Sequence, residues 1–316
     1  MLKKNARIFL AGHNGLVGSA VYKKLKYLKY TNIIIVEKKK LDLRNSEKVR
    51  KYFHSKKIDV IIMAAARAGG IMANEKFQKN FFFENIEIQN SLLKLSLEKK
   101  VKRVIFLGTS CIYPKFSKTP IRESYLMTGK LEKTNECYAI AKIAGIKLCE
   151  ALYNLHNLDV VALMPTNIYG IKDNFNKETG HVIPAMISKF LEAKKNNENK
   201  IFLWGSGKPE REFLHAEDLA NAIIKVLKIS KKELYKKSGK KFPLINVGSN
   251  KVVTIKKLSE AIKKITNFKG KIIFDKKFPD GTLKKNLDSR IISNLGWKPR
   301  IELLSGLKAV IRSRNS

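Results

Sequence analysis

Near its amino terminus the chain reads Ile8-Phe9-Leu10-Ala11-Gly12-His13-Asn14-Gly15-Leu16-Val17-Gly18, an apolar run followed by a glycine loop and a helix-like segment. The backbone N–H groups of such a loop and the positive end of the helix can receive a pyrophosphate. We expect Gly12 to permit the tight turn, Gly15 to let a phosphate approach the main chain, and Gly18 to let the helix pack on the strand. The loop therefore predicts a bound dinucleotide cofactor.

Apolar runs alternate with helix-period segments through the first half of the chain. The predicted strands are Ile8 to Ala11, Asn32 to Val36, Val60 to Met63, Val104 to Leu107 and Val160 to Met164, and the predicted helices are Leu16 to Leu28, Ser46 to Phe53, Phe82 to Leu97 and Tyr138 to Tyr153. This alternation is typical of a parallel sheet with right-handed crossovers. We predict an α/β fold, a Rossmann-type doubly wound parallel sheet with a smaller, discontinuous α/β substrate lobe.

After Pro165 the alternation loosens, which indicates a second lobe. The segments there are a turn-rich stretch from Asn167 to Gly180, a helix from Ile183 to Ala193, a turn from Trp204 to Gly207, a helix from Phe213 to Leu227, a strand from Ile245 to Val247 and a helix from Thr254 to Ile265. We expect a dinucleotide-binding domain of residues 1–166 plus about 211–240. Residues 167–210 plus about 241–316 are expected to form the substrate lobe.

Composition limits the class of protein. The 316 residues include 64 Lys+Arg against 27 Asp+Glu, a formal charge of +37, yet 44% are hydrophobic, which is too apolar for a disordered polycation. Such a charge makes nucleic acid a rival partner. Most of the charge is lysine in short blocks such as Lys38-Lys39-Lys40, whereas nucleic-acid recognition favours clustered arginine, so we expect no specific nucleic-acid partner.

Membrane and metal chemistry are not expected. Apolar runs fall far short of the roughly 20 residues that a membrane span needs. The amino terminus leaves no room for a signal peptide, so we expect a cytoplasmic protein without a membrane partner. Cys111, Cys137 and Cys149 lack the spacing of a zinc or redox site, and we expect reduced thiols and no metal.

Tyr138 and Lys142 stand four residues apart in a predicted helix, so the phenol and the ammonium share one face. A phenol with a pKa of about 10 is a poor acid at neutral pH, and we expect the adjacent ammonium to lower that pKa. Thr109, at the end of the fourth predicted strand, can bond the substrate oxygen that the tyrosine protonates, with Ser110 as a fallback. Together these residues predict a hydride-transfer site.

Two signals conflict after the second predicted strand, where the form of the cofactor is selected. Glu37 can accept a hydrogen bond from a ribose hydroxyl and would repel a 2′-phosphate, whereas Lys38 and its neighbours can neutralise one. The residues alone leave the choice between NADPH and NADH open.

Several motifs resemble the extended short-chain dehydrogenase/reductases that act on nucleotide sugars. They are the Gly12 loop, Ala64 to Ala66, the Tyr138 and Lys142 pair, and Leu163 to Gly170. Longer stretches are similar to the GDP-L-fucose synthase family over essentially the whole chain, namely Ala11 to His13 with Gly15, Gly69 to Ile71 with Ala73 and Asn74, Ser110 to Lys115, Tyr138 to Glu150, His181 to Ala185 and Arg211 to His215.

This resemblance implies one active site with two tasks on GDP-4-keto-6-deoxy-D-mannose: epimerisation at C3 and C5, then reduction of the C4 ketone by NADPH. Protons next to a ketone are acidic because the enolate spreads its charge onto oxygen, which hydroxyl donors stabilise. The implied catalytic residues are Tyr138, Lys142 and Thr109, with Cys111 and His181 as the acid–base pair of the epimerisation. Two residues depart from the family pattern: Cys137 replaces a common proline, and Thr109 replaces the usual serine.

The resemblance also implies the ligand contacts. For NADP(H) they are Gly12, His13, Asn14, Gly15, Leu16, Val17, Gly18, Lys38, Leu107, Gly108, Thr109, Ser110, Lys142, Pro165, Thr166, Asn167, Ile168 and His181. For the GDP-sugar substrate they are Lys189, Trp204, Arg211 and Asp280. Arg211 suits a diphosphate because a guanidinium offers paired donors, and Lys189 stands where relatives often have arginine.

Two alternatives and one assembly remain to be tested. The runner-up is an NAD-dependent nucleotide-sugar 4-epimerase or 4,6-dehydratase, which keeps the same tyrosine and lysine. A function of a different class is that of a non-catalytic Rossmann-fold regulator.

The helices Phe82 to Leu97 and Tyr138 to Tyr153 carry apolar residues on more than the one face that packs on the sheet. Because family members pair such helices in a four-helix interface, we expect a homodimer.

Overall fold

The computed structural model describes residues 2–239, 241–277, 280 and 282–315. Its strands are β1 (Ile8–Ala11), β2 (Ile33–Ile34), β3 (Val60–Met63), β4 (Arg103–Leu107), β5 (Val160–Pro165), β6 (Asn167–Tyr169), β7 (Lys200–Trp204), β8 (Glu210–His215), β9 (Leu244–Val247), β10 (Val252–Thr254), β11 (Lys271–Asp275) and β12 (Lys284–Lys285).

The α-helices of the described residues are α1 (Leu16–Tyr27), α2 (Ser46–Phe53), α3 (Ile71–Lys76), α4 (Gln78–Glu98), α5 (Glu136–Leu155), α6 (Val182–Lys195), α7 (Ala216–Lys228), α8 (Lys231–Lys237), α9 (Ile255–Thr266), α10 (Arg290–Asn294) and α11 (Leu303–Asn315). None of them combines the length and the hydropathy that a bilayer crossing requires.

A six-stranded sheet forms the centre of the molecule. Its order is β2-β1-β3-β4-β5-β9, and every neighbouring pair is parallel. Ile8 and Leu10 face a core shared with α1 and α7, whereas Phe9 and Ala11 face a core shared with α2, α4 and α5. Because helices cover both faces, the central strands are apolar throughout. The predicted doubly wound parallel sheet is confirmed.

A second set of elements packs around its own core. β8 pairs with β6, β10 and β12, and β7 pairs with β11. A third apolar cluster, which includes Phe190, Ile262 and Leu307, lies among α6, α9 and α11. The division into two lobes at the predicted boundaries stays a proposal, and residues 1, 240 and 316, which bound its ranges, lie outside the described residues. The range 241–316, which was expected to belong to the substrate lobe, includes β9, and β9 pairs with β5 of the central sheet.

Some predicted elements differ from the observed ones. The predicted helix from Phe213 to Leu227 is wrong at its start, because Phe213 and the two residues after it belong to β8 and α7 begins at Ala216. A continuous apolar run does not distinguish a buried strand from a buried helix. The predicted turn-rich stretch after Pro165 begins with β6, and the predicted strand from Asn32 to Val36 shortens to β2.

The substitution Gly18→Ala tests the contact between α1 and the glycine loop. A Cβ at Gly18 would lie 1.9 Å from the carbonyl oxygen of Gly12, so we expect the free energy of unfolding in urea to fall by about 1–3 kcal/mol. Gly15→Ala is the matched control, because its Cβ would meet the same oxygen at 3.5 Å, an ordinary contact. Equal stability of the two variants would show that α1 can move away from the loop.

Candidate active site

The loop from Gly12 to Gly18 lies at the carboxyl end of β1, where the strand order of the sheet reverses. Gly12 has a φ of +84°, and a Cβ there would lie 2.6 Å from the backbone nitrogen of Ala65. Gly15 caps α1 without a side-chain hydrogen bond, and the first turn of α1 carries no acidic residue. Side chains therefore leave the N–H groups of this turn to a ligand, which fits the phosphates of a dinucleotide.

Predicted cofactor residues also lie at the carboxyl ends of β4 and β5. Pro165 ends β5, and Ile168 lies in β6. Between them, the hydroxyl of Thr166 and the side-chain amide of Asn167 donate to the main-chain carbonyl of Glu212 at 3.1 and 2.9 Å. Leu107 ends β4, the strand next to β5, and Gly108 follows it. These residues share one edge of the sheet with the glycine loop.

Lys38 lies in an exposed turn after β2, the strand beside β1. The pKa of the nearby Asp42 carboxyl is lowered, chiefly by its hydrogen bond from Arg44, and Lys38 contributes to this lowering. Glu37, in the same turn, is also exposed. The side chains of Glu37 and Lys38 are thus both exposed at the edge of the central sheet where the glycine loop lies.

Thr109, Cys111 and Tyr138 come together from two elements. Thr109 caps the 3₁₀ turn Ser110–Ile112, and its hydroxyl accepts the N–H of Cys111 at 3.2 Å. The phenol of Tyr138 on α5 lies close enough to this turn that Thr109 and Cys111 both affect its pKa. Ser110, the fallback hydroxyl, lies buried in the same turn. The structure thus brings the hydroxyls of Thr109 and Tyr138 and the thiol of Cys111 close together.

Desolvation dominates the titration of the Tyr138 and Lys142 pair. It raises the pKa of Tyr138 well above its usual value; Cys111 adds to the rise, and the hydrogen bond with Thr109 opposes it. Desolvation lowers the pKa of Lys142 to about 8. The Lys142 ammonium donates to the carbonyl of Leu107 at 2.9 Å, and its effect on the phenol pKa stays a prediction. The phenol therefore keeps its proton at neutral pH and can act as an acid.

Sequence reasoning missed Asn135, which contacts the Cys111 thiol. Its side-chain amide donates to the sulfur at 3.6 Å. Asn135 occupies the N-cap position of α5, yet it makes no side-chain capping bond. Asparagine at that position usually caps the helix, so the sequence signal indicated a structural role. Because sulfur is a hydrogen-bond acceptor, this contact helps to fix the position of the thiol.

His181 lies at the start of α6, after a loop that packs on α3. The carbonyl of Thr179 accepts the N–H of Gly70 at 2.9 Å, and α3 in turn contacts the turn that holds Asn135. Desolvation lowers the pKa of His181, so its imidazole is neutral at pH 7 and can accept a proton. Among the described residues, no hydrogen bond joins His181 directly to Cys111 or Tyr138.

The four predicted substrate residues form a cluster outside the central sheet. The Lys189 ammonium lies 5.3 Å from the centre of the Trp204 ring, which is partly exposed. Asp280 accepts the N–H and the hydroxyl of Ser206 at 2.8 and 2.6 Å. Desolvation lowers the pKa of Arg211, and the charge of Asp280 opposes this shift. Two cations and a flat aromatic face thus stand together, a set that suits a nucleoside diphosphate.

A second missed feature links this cluster to the catalytic turn. Lys115 lies 3.1 Å from the carboxylate of Glu132, and the charge of Glu132 acts on Arg211. Lys115 belongs to the same motif as Cys111, but its pairing across 17 residues leaves no trace in local spacing. The pair places the substrate cluster beside the turn that carries Cys111.

Comparison with known proteins agrees with this site. Residues 8–239 match the model of the NAD dependent epimerase/dehydratase family. The chain is similar to putative GDP-L-fucose synthase 2 of Arabidopsis thaliana, with 47% identity over 97% of this chain and 91% of that protein. It is 42% identical to the GDP-L-fucose synthase of Escherichia coli (strain K12), over 95% of this chain and 94% of that protein.

A solved structure of a GDP-mannoheptose C4 reductase from Campylobacter jejuni with NADP bound is also similar. Its TM-score is 0.90 at 31% sequence identity, and the match covers 100% of both chains. The family model covers most of this chain, and the relatives match nearly all of it at more than 40% identity. The chain therefore belongs to the NAD dependent epimerase/dehydratase family and, within it, to the GDP-L-fucose synthases.

Proposed function

We propose that the protein converts GDP-4-keto-6-deoxy-D-mannose to GDP-L-fucose in one active site, by epimerisation at C3 and C5 followed by reduction of the C4 ketone with NADPH. The observation that carries this proposal is the meeting of Thr109, Cys111 and Tyr138 at the carboxyl ends of the parallel strands. Relatives named GDP-L-fucose synthase, at 42% and 47% identity, support the substrate. The NADP-bound C4 reductase of similar structure supports the cofactor.

The cofactor would be held by the glycine loop from Gly12 to Gly18, by the residues after β4 and β5, and by Lys142. Gly15 is the residue whose missing side chain leaves room beside the loop. Bound NADPH supplies the hydride for the ketone carbon. Lys38 is a cation available to a 2′-phosphate, as are its lysine neighbours, because this turn is exposed beside the end of β1.

Epimerisation requires that a proton leaves C3 or C5 on one face of the sugar and returns on the other. Cys111 and His181 are the proposed acid–base pair. Cys111 takes the proton on one face, and His181, which takes up a proton from solvent, returns it on the other face. Because desolvation lowers the pKa of His181, its imidazolium gives that proton up readily. The enolate oxygen at C4 would receive hydrogen bonds from Tyr138 and Thr109.

Reduction requires a proton for the same C4 oxygen. Tyr138 retains its proton at neutral pH and donates it as the alkoxide forms. Lys142, on the next turn of α5, carries the positive charge that stabilises the phenolate left behind. The diphosphate end of the substrate would be bound by Arg211 and Lys189, and Trp204 would contact a flat ring, with Asp280 holding the turn at Ser206.

The substitution Tyr138→Phe tests the proton donor. With GDP-4-keto-6-deoxy-D-mannose, we expect the wild-type protein to oxidise NADPH and yield GDP-L-fucose, and the variant to do so at least about 100-fold more slowly. Absorbance at the NADPH band and identification of the product sugar provide the measurements. Tyr153→Phe is the matched control, because Tyr153 lies on the same helix and packs on Phe242.

Three outcomes of this assay would contradict the assignments. Undiminished turnover by Tyr138→Phe would exclude the phenol as the donor. Turnover of the sugar without net loss of NADPH would favour the 4-epimerase or 4,6-dehydratase alternative, since those enzymes retain their cofactor through a cycle. Binding of cofactor without any turnover would favour the regulator.

The substitution Cys111→Ser tests the epimerisation pair. We expect incorporation of deuterium from heavy water at C3 and C5 of the keto-sugar to fall by about 100-fold, because a hydroxyl is a much weaker base than a thiolate. Mass spectrometry of the recovered sugar measures the exchange, and thermal unfolding checks the fold. Cys137→Ser is the control, because that thiol contacts Gln78 at 3.7 Å and not the catalytic turn. Unchanged exchange in Cys111→Ser would remove this thiol from the reaction.

We further propose that the protein is a homodimer that pairs α4 and α5 with their copies. These two helices pack on each other, yet they leave Phe83, Ile140 and Leu155 exposed. We expect sedimentation at micromolar concentration to give twice the chain mass of 36.0 kDa, and Ile140→Glu to shift it to the monomer. Leu304→Glu, at an exposed residue of α11, is the control. A monomeric wild-type protein would refute the dimer.

The cytoplasmic location of the protein stays a prediction.

A further inference from the structure

Tyr113 follows Cys111 by two residues, and its side chain enters the core instead of the site. The side chain is 1% exposed. Its hydroxyl donates to the side-chain oxygen of Asn246 at 2.6 Å, and Asn246, in β9, is fully buried. Tyr113 therefore ties the catalytic turn after β4 to the edge strand of the central sheet.

Asn246 makes two more hydrogen bonds to the segment that follows Tyr113. Its side-chain amide donates to the carbonyl of Ile121 at 2.9 Å, and its backbone N–H donates to the carboxylate of Glu123 at 2.9 Å. Desolvation raises the pKa of Tyr113, so the phenol remains a donor at neutral pH. One residue of β9 thus fixes three points between 113 and 123.

The turn between Thr109 and Tyr113 is too short to absorb a movement of either end. The N–H of Tyr113 donates to the carbonyl of Ser110 at 3.4 Å, and the N–H of Cys111 donates to the hydroxyl of Thr109 at 3.2 Å. Only Gly108 separates Thr109 from β4, so one end of the turn is held by the sheet. The other end is held by the hydrogen bond from Tyr113 to Asn246.

We propose that Tyr113 is a positioning residue: its hydrogen bond to Asn246 holds the Cys111 thiol in place, so that epimerisation depends on this bond more than hydride transfer does. The inference rests on the proposed role of Cys111 in proton removal. Hydride transfer depends instead on Tyr138 and Lys142, which belong to α5, and on Thr109 at the β4 end of the turn. Loss of the bond moves the sulfur away from the amide of Asn135, while the phenol and the ammonium stay in place.

The test uses Tyr113→Phe, which keeps the ring and removes only the hydroxyl. Deuterium exchange at C3 and C5 of the keto-sugar measures epimerisation. Oxidation of GDP-L-fucose by NADP⁺, the reverse of the reduction, measures hydride transfer alone. We expect exchange to fall by about tenfold or more, since small displacements of a reacting group are costly, while the initial rate of GDP-L-fucose oxidation stays within about twofold. Tyr153→Phe, another buried tyrosine of the same apolar core, is the control and keeps both rates.

A second measurement needs no sugar. Iodoacetamide alkylation of Cys111, followed by peptide mass spectrometry in a time series at fixed pH, reports how freely the reagent reaches the sulfur. Since the sulfur leaves its contact with the amide of Asn135 in Tyr113→Phe, we expect the alkylation rate to rise severalfold. Cys137 in the same sample provides the reference. If Tyr113→Phe does not fold, Asn246→Ala removes the same hydrogen bond from the other side and is judged in the same way.

The outcomes separate this inference from the proposed function. If wild-type protein neither exchanges deuterium nor oxidises GDP-L-fucose, the proposed function fails, and the alkylation series still tests the tether. If wild-type protein performs both reactions, equal losses of exchange and hydride transfer in Tyr113→Phe overturn the positioning role. An unchanged alkylation rate together with an unchanged ratio of the two reaction rates also overturns it.

Discussion

The buried carboxylate of Glu212 connects the central sheet, the second set of strands and the active site. It accepts the N–H groups of Asn250 and Leu287 at 2.6 and 2.8 Å, and it is fully buried. A buried carboxylate is costly unless donors surround it. The two loops that supply the donors must therefore stay close to β8. The main-chain carbonyl of the same residue accepts the side chains of Thr166 and Asn167, so one residue of β8 also fixes the loop after β5.

Exclusion of water gives the catalytic groups their chemical states. Desolvation raises the pKa of Tyr138 and lowers the pKa of His181, since it disfavours the charged form of each group. Reduction requires an acid that keeps its proton until the alkoxide forms, and epimerisation requires an acid that gives its proton up readily once it is charged. Lys142, with a pKa of about 8, remains mostly charged near pH 7. One physical cause, desolvation, thus favours the uncharged forms of both groups at neutral pH.

Much of the fold could be predicted because burial leaves a record in local sequence. β1, β3 and α2 have their predicted bounds, since strands covered on both faces are apolar throughout and α2 is amphipathic. The start of α7 could not be placed, because an apolar run continues from Phe213 in β8 into the helix. The pairing of β9 with β5 has no local signal either, because tertiary packing selects the partner of a strand that lies about 80 residues along the chain.

The residues of the candidate active site could be predicted from the sequence, but many of the interactions between them could not. Spacing placed Tyr138 and Lys142 on one helix face, but the dominance of desolvation over their mutual charge depends on neighbours that no motif names. The contact that Asn135 makes could not be predicted from the sequence either. At a helix start, asparagine usually satisfies a free backbone N–H, and here it donates to the sulfur of Cys111 instead. A capping residue that leaves its helix uncapped gives up stability, and the contact it makes in exchange helps to hold the thiol of Cys111 in place.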